Sequence, residues 1–450
     1  MFIDEIKRIP GKECEISGRV ADVRDHGKVA FIDLVDSSGL LQVVVEGNES
    51  LPSVGSFISV AGYIAEHEGK TELHSEHIDT LAKSSIPLSP TPWEIDGTTS
   101  ELANQVLAYP SLYNANPQKM AIFAIKSRFV QSLHSYFQSH RFTLVEPPIL
   151  TNKVLYPRDN AIRAHVHGED VWLSQCATFE LEPLALAMKK VYTISPAFRN
   201  EPGGSKRHLA EYTHVKAEAL LVDIDDLMLL AGESIYCAVE ETIDACQREL
   251  NVLGVEIDLP PMHPDKHVHM TYDEAIKITR AAGSDTEVGE GLTREDELIL
   301  TEYVGHEYLW VKFPPFASEG FPYKRVPGRH DLSMTCDLIA PHGAGEMVGV
   351  AEKTVDPEEL IQNLIDKGLK PKIREYWDYI LARFYGLPEH GGLGAAPERI
   401  MYGLLGLEHI RQTKPWPRYP GRKINAVPTS KLNPWRDGNI ERIIQKYDIQ

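Results

Sequence analysis

Residues 198–219 read FRNEPGGSKRHLAEYTHVKAEA, and the fold turns on how this stretch is understood. VYTISPAFRNE (191–201) and HLAEYTHVKAE (208–218) both have strand character, and Pro202, Gly203 and Gly204 supply the turn between them. Strand alternation puts Arg199 and Glu201 on one face of the first segment, while His208, Tyr212 and Glu218 share a parity on the second. A guanidinium offers a planar fork of donors to a phosphate, and an aromatic ring offers a stacking surface to a base. A solvated hairpin with idle surface charges has the same local pattern, so the rest of the chain must decide.

Composition narrows the field. The chain has 450 residues, enough for two domains, with 42% apolar and 25% charged positions. No apolar run is long enough to cross a bilayer, and charges interrupt Met1–Pro10 too early for a signal peptide. The five cysteines, Cys14, Cys176, Cys237, Cys246 and Cys336, form no C-x-x-C pair, which argues against a zinc site and suits a reducing cytoplasm. A net charge of −19 excludes a protein that wraps nucleic acid with its whole surface. It leaves room for a local patch of arginines that binds a small anion such as ATP.

Residues 1–85 alternate apolar and polar positions in five short runs, predicting a small β-barrel of the OB type. Residues 86–116, which take in most of SSIPLSPTPWEIDGTTS (84–100), form a linker candidate rich in Pro and Ser. Residues 117–450 follow as a mixed domain. QKMAIFAIKSRFVQSLHSYFQSH is a long amphipathic helix, FTLVEPPIL a strand broken at Pro147-Pro148, and DPEELIQNLIDKG a helix that starts at Asp356. DLIAPHGAGEMVGVAEK (337–353) sets Asp337 and Glu346 beside glycine-rich turns. Paired carboxylates near a phosphate-binding arginine are what Mg²⁺–ATP requires. HGGLGAAPERIMYGLLGLEHIR (390–411) runs from glycines into an apolar helix that carries Arg399.

Together these segments resemble a class II aminoacyl-tRNA synthetase of the Asp/Asn/Lys subgroup, nearest its asparaginyl branch. FTLVEPPIL is similar to the family's first motif, with Pro148 at the dimer-interface proline. FRNE-PGGSK-RHLAEY is similar to the second, and GGLGAAPER, ending in Arg399, to the third. The resemblance implies an α+β fold: an N-terminal OB-fold β-barrel, then a catalytic domain of antiparallel sheet flanked by helices, in a homodimer. It implies ATP and Mg²⁺ as cofactors and tRNA as acceptor. Arg199 and Arg399 would be the catalytic arginines, on the α- and γ-phosphates. Glu201, Arg207, His208 and Tyr212 would contact ATP, and Asp337 and Glu346 would hold Mg²⁺. Phe31 and Gln42 of the barrel would bind the anticodon.

For the amino acid, the resemblance points to LSQCATFELEPLALAMKKVYTI (173–194), where Gln175 and Glu182 fall at recognition positions. Leu181 stands where the aspartyl branch has lysine, so Glu182 would repel a carboxylate side chain and favour asparagine. Glu218 and Lys353 complete the expected pocket. Lys353 replaces a usual arginine, and Cys176, Ala177 and Thr178 replace a usual Ser, Gly/Pro and Gln. Such clustered changes suggest activation of asparagine or a close analogue. The alternative is a paralogue that adenylates another Asp/Asn-like acid or uses a non-tRNA acceptor. Residues 1–85 carry 8 Lys+Arg against 15 Asp+Glu, which weakens the expectation of a tRNA backbone contact there.

Overall fold

The computed structural model describes residues 2–6, 11–47, 50–67, 69–84, 114, 116–156, 160–200, 205–418, 420 and 446. Glu201, the Pro202–Gly204 turn and nearly all of the 86–116 linker lie outside them. The chain divides into two compact units, with a boundary after Asn116.

In the first unit, β1 (Glu13–Asp25), β2 (Val29–Asp36), β3 (Gly39–Glu46), β4 (Phe57–His67) and β5 (Lys70–Ala82) close into a barrel of order β1-β2-β3-β5-β4. Period-two alternation sends Val20, Ile32, Leu34, Leu41, Val43, Ile58 and Val60 inward, all fully buried. The Asp36-Ser-Ser-Gly turn closes β2 onto β3, because the Asp36 carboxylate accepts hydrogen bonds from the Ser38 and Gly39 amides. A short helix, Ile3–Ile6, adds its two isoleucines to the barrel core.

The second unit opens with a helix, Pro117–Ser139, whose Ile122, Ile125, Phe129, Leu133 and Phe137 recur at helical spacing and are buried. Proline interrupts the following extended segment as expected. β6 (Thr143–Leu144) joins the main sheet, whereas β7 (Leu150–Thr151) pairs with β9 (Glu169–Leu173) and β8 (Arg163–Val166) in a separate three-stranded sheet. The main sheet continues with β10 (Lys190–Phe198), β11 (Glu211–Leu220), β12 (Val268–Thr271) and β13 (Leu309–Lys312). After a small hairpin of β14 (Arg325–Val326) and β15 (Arg329–Ser333), the sheet is completed by β16 (Thr335–Ala340), β17 (Gly345–Glu352) and β18 (His390–Ala395). Its order is β12-β13-β16-β17-β18-β11-β10-β6. The six inner strands are mutually antiparallel, and β12 and β6 add parallel edges. The whole is the α+β architecture expected, a barrel followed by an antiparallel sheet with helices.

Helix ends follow local rules. Asp223 caps Ile224–Ala245 through a reciprocal capping box with Asp226. Asp356 caps Pro357–Asp366, its carboxylate accepting from the Glu358 amide at 2.8 Å.

Candidate active site

The sheet register builds the site. Asp337 pairs with Gly349, Gly349 with Gly394, Gly394 with Lys216, and Lys216 with Thr193, forming one row across five strands. Partners in such a row project to the same face. Two consecutive glycines therefore leave a trough floored by bare backbone, with Asp337 on one bank and Lys216 on the other. Three strand spacings separate these two residues, about 14 Å. The floor cannot be raised cheaply: a Cβ on Gly394 would meet His214 Nε2 at 3.0 Å, and one on Gly349 would meet Asp337 Oδ1 at 2.9 Å.

One cavity of about 110 Å³ lies at the end of the trough nearest the β10–β11 turn, lined by Arg199, Arg207, His208, Tyr212, Glu346 and Arg399 among others. Six of the eight expected ATP residues thus converge on one space. Asp337 lines the neighbouring cavity, and Glu201 lies outside the described residues. The Arg199 amide donates to Ala210 O at 3.0 Å, so pairing continues one step beyond the strands. The Arg199 guanidinium lies over the rings of Tyr156 and Tyr212, at 4.5 and 5.6 Å, which holds the fork planar and oriented. Arg207 donates to Glu297 at 2.6 Å, and Arg399 donates to Arg207 O at 2.9 Å. His208 precedes the strand instead of extending it, yet still reaches the cavity.

A second cavity of about 260 Å³ shares Arg199, His214, Glu346 and Gly394 with the first. Its walls include Asp337, Glu346, Cys176, Thr178, Lys216, Glu319 and Tyr323. Asp337 and Glu346 converge above Gly349, since a Cβ there would lie 2.9 Å from Asp337 Oδ1 and 3.4 Å from Glu346 Oε1. Burial, then Glu346, Glu319 and Glu297, push the Asp337 carboxyl well above its usual range. Two crowded carboxylates fit a Mg²⁺ that takes its remaining ligands from phosphate and water. No group of three or more such ligands occurs among the described residues.

The amino-acid residues expected from sequence are largely placed elsewhere. Cys176 lines the second cavity, but Gln175, Glu182, Glu218 and Lys353 do not. Gln175 Oε1 accepts from the Leu155 and Tyr156 amides, both at 3.1 Å, so it shapes the wall from behind. Glu182 is fully buried and accepts hydrogen bonds from Arg383 and Tyr379, with His390 Nε2 at 2.9 Å. Burial alone would raise its pKa, yet Arg383 and His390 hold it far below the carboxylate range. Its oxygens are thus engaged by Arg383, Tyr379 and His390, where the sequence reading set a substrate amide. Glu218 lies over Gly392, with Lys216 Nζ at 3.2 Å and Lys353 Nζ at 3.8 Å. Lys353 is buried against the Tyr323 ring at 4.2 Å. Sequence reasoning missed Lys216 and His214, although continuing the parity from Tyr212 would have found both.

In the barrel, Phe31 and Gln42 share the outer face. Gln42 is already engaged by Glu72 at 2.8 Å and Arg24 at 3.2 Å, and the Arg24 guanidinium lies 5.9 Å from the Phe31 ring. Of the histidines at 263, 267 and 269, the first and last are exposed. His267 is buried and accepts from Trp310 Nε1 at 3.1 Å.

An OB barrel before an antiparallel sheet flanked by helices, with two arginines, a pair of carboxylates and a ring around neighbouring cavities, is the architecture expected of a class II synthetase. Comparison with known proteins agrees. Residues 103–420 match the model for tRNA synthetases class II (D, K and N), and residues 14–81 match that for an OB-fold nucleic acid binding domain. The chain belongs to this class II tRNA synthetase family, and is a ligase by membership. It is 27% identical over 436 residues to the asparagine–tRNA ligase of Pyrococcus horikoshii, covering 94% of this chain and 98% of that protein. The asparagine–tRNA ligase of Pelotomaculum thermopropionicum is 28% identical over 437 residues, covering 93% and 98%. The crystal structure of asparaginyl-tRNA synthetase from P. horikoshii complexed with asparaginyl-adenylate superposes with a TM-score of 0.87 at 26% identity, covering 95% and 99%.

Proposed function

We propose that the protein uses Mg²⁺–ATP to convert a small Asp/Asn-like acid, asparagine or a close analogue, into its acyl-adenylate and passes the acyl group to tRNA. The observation that carries this is the convergence of Arg199, Tyr212 and Arg399 on one cavity, with Asp337 and Glu346 opening into the next. Arg199, which lies over two rings, would meet the α-phosphate, and Arg399 the γ-phosphate. Both meet charge that grows as the substrate carboxylate attacks phosphorus and pyrophosphate leaves. Asp337 and Glu346 would hold Mg²⁺, which supplies further charge neutralisation at the phosphates. Tyr212 offers its ring to the adenine. His214, at the junction of the cavities, is kept neutral by burial and by Lys216 and Arg199, so it adds no charge to the path between them.

A second reading is favoured by the cavity wall itself. With Glu182 committed to Arg383 and the wall made of Cys176, Thr178 and Lys216, a paralogue that activates an acid other than asparagine fits these residues. The exposed Leu144, Ile149 and Leu150 around Pro148 support a homodimer through this segment. ATP–pyrophosphate exchange across the standard amino acids and their analogues tests the proposal. Acid-dependent exchange is expected, and its absence with ATP bound would remove the reading.

A further inference from the structure

We propose that Lys216 is a specificity-determining residue of the second cavity, and that it selects an acid carrying a second anionic group, a dicarboxylate of the aspartate or succinate kind, over asparagine. The inference rests on the adenylation reading above and names the substrate class of that same site.

Three observations support it. First, the sheet register puts Lys216 on the face of the trough, beside Cys176 and Thr178 in the cavity wall. Asp337 stands three strands away on the opposite bank, so the carboxylates expected to hold Mg²⁺ are not its partners.

Second, the carboxylate behind this wall is shared. Glu218 receives two ammonium groups, Lys216 at 3.2 Å and Lys353 at 3.8 Å, and Lys353 Nζ has no hydrogen-bond acceptor. Glu182, the next carboxylate inward, is paired with Arg383, and Glu319 of the cavity wall acts on Lys353. Lys216 therefore has no carboxylate to itself, which is costly away from water. It is the member of this network that reaches the cavity, so an anion entering there supplies a second partner. Lys353 answers the same crowding: burial and then Lys216 pull its pKa down to about 8. Lys216 itself stays charged, because Glu218, with Cys176 and Glu182, outweighs its burial.

Third, the feature that argued for an amide is occupied. Glu182 was to repel a carboxylate side chain, but Arg383 and His390 neutralise it, and it does not line the cavity. An asparagine amide would leave the Lys216 charge with Glu218, shared with Lys353, as its ion-pair partner. A second carboxylate, adenylation taking place at the first, supplies a full one. No co-reactant beyond ATP is required, and pyrophosphate leaves as in the proposed activity.

The test compares ATP–pyrophosphate exchange with L-aspartate, succinate, L-malate and L-asparagine for the wild type, Lys216→Met and Lys216→Arg. Thermal shift titrations with succinate in the absence of ATP accompany it. Wild type is expected to show a KM for at least one dicarboxylate 10-fold or more below that for asparagine. Lys216→Met should raise that KM on the order of 10- to 100-fold with a smaller change in kcat, the loss of one charge-assisted hydrogen bond, and Lys216→Arg should restore it in part. Succinate should stabilise the wild type saturably and leave Lys216→Met unmoved. Exchange driven best by asparagine, with no KM dependent on residue 216, would overturn the inference and leave the adenylation reading standing. Stabilisation by succinate that requires Lys216, with no exchange for any acid, would uphold the anion site and overturn adenylation. Neither exchange nor stabilisation would overturn both.

Discussion

Glu182 and Lys216 show how far a residue's role depends on what faces it. By its position in the sequence Glu182 belongs to substrate recognition, yet its oxygens are held by Arg383, Tyr379 and His390. Lys216, one alternation beyond His214, takes the wall. Lys353 gives a prediction at this scale. It faces Lys216, Glu218, Glu182, Cys176 and Tyr323, and its folded pKa of about 8 lies below the ordinary lysine value of 10.5. The unfolded chain therefore binds the extra proton between these values, and stability from this group rises with pH across that window. Relative to Lys353→Met, the wild type should gain on the order of 3 kcal/mol between pH 8 and pH 10.5, read from denaturation curves. A flat difference would place Lys353 in a more polar setting. At the reaction centre, Arg199→Ala should cut pyrophosphate exchange by about 100-fold or more with little change in melting temperature.

At the scale of elements, the helix Pro397–Leu404 carries Arg399, and its position is set by the residue beside it. The Glu398 carboxylate is fully buried, with Lys126 at 2.6 Å, Lys414 at 3.0 Å and the Thr213 hydroxyl at 2.8 Å. It thereby ties three parts of the unit to β11, one residue from Tyr212. Burial would raise this carboxyl, but Lys126 and Lys414 bring it to about 2. Its contribution to stability is complete above the ordinary glutamate value of 4.5 and is lost as pH falls towards 2. Glu398→Gln should cost about 3–5 kcal/mol at neutral pH, leave two lysines unpaired, and shrink the acid-induced loss over that window. The glycine floor makes a second prediction. Gly349→Ala forces apart Asp337 and Glu346, so the Mg²⁺ concentration for half-maximal exchange should rise about 10-fold or more. The elements themselves were largely legible. The helix at Asp356, the strands on either side of residues 199–210 and the proline break at 147–148 all follow from caps, periodicity and Pro chemistry. His208 was drawn into a strand that in fact starts at Glu211, because alternation alone carries no stop signal.

Across the whole molecule, surface apolarity and charge set the expectations. Leu144, Ile149 and Leu150 are 45%, 40% and 47% exposed around the broken segment, and β6 is a sheet edge. An uncovered apolar edge calls for a partner, and a second copy of the chain is the one proposed. Sedimentation should give twice the 50.5 kDa chain mass, and Leu150→Glu should shift the population towards monomer. A monomeric wild type at micromolar concentration would remove that proposal. The barrel presents Phe31 beside Arg24, Gln42 and Glu72, in a domain with 15 acidic against 8 basic residues over positions 1–85. If tRNA is bound there, base contacts must outweigh phosphate contacts, and affinity should fall only weakly with salt.

The sequence by itself determined the order of barrel and sheet domain and most strands and helices, which depend on short-range rules: alternation, capping and turn chemistry. The family resemblance of three motifs picked out six residues that line the first cavity. Only the tertiary structure decided which carboxylates are already engaged and which cations share a counterion. Glu182 meets Arg383 across 201 positions of chain, and Lys216 reaches its trough through glycines nearly 180 residues later. A buried charge takes its meaning from its nearest counterion, because at a few ångströms in a poorly polarisable interior that partner outweighs every local preference.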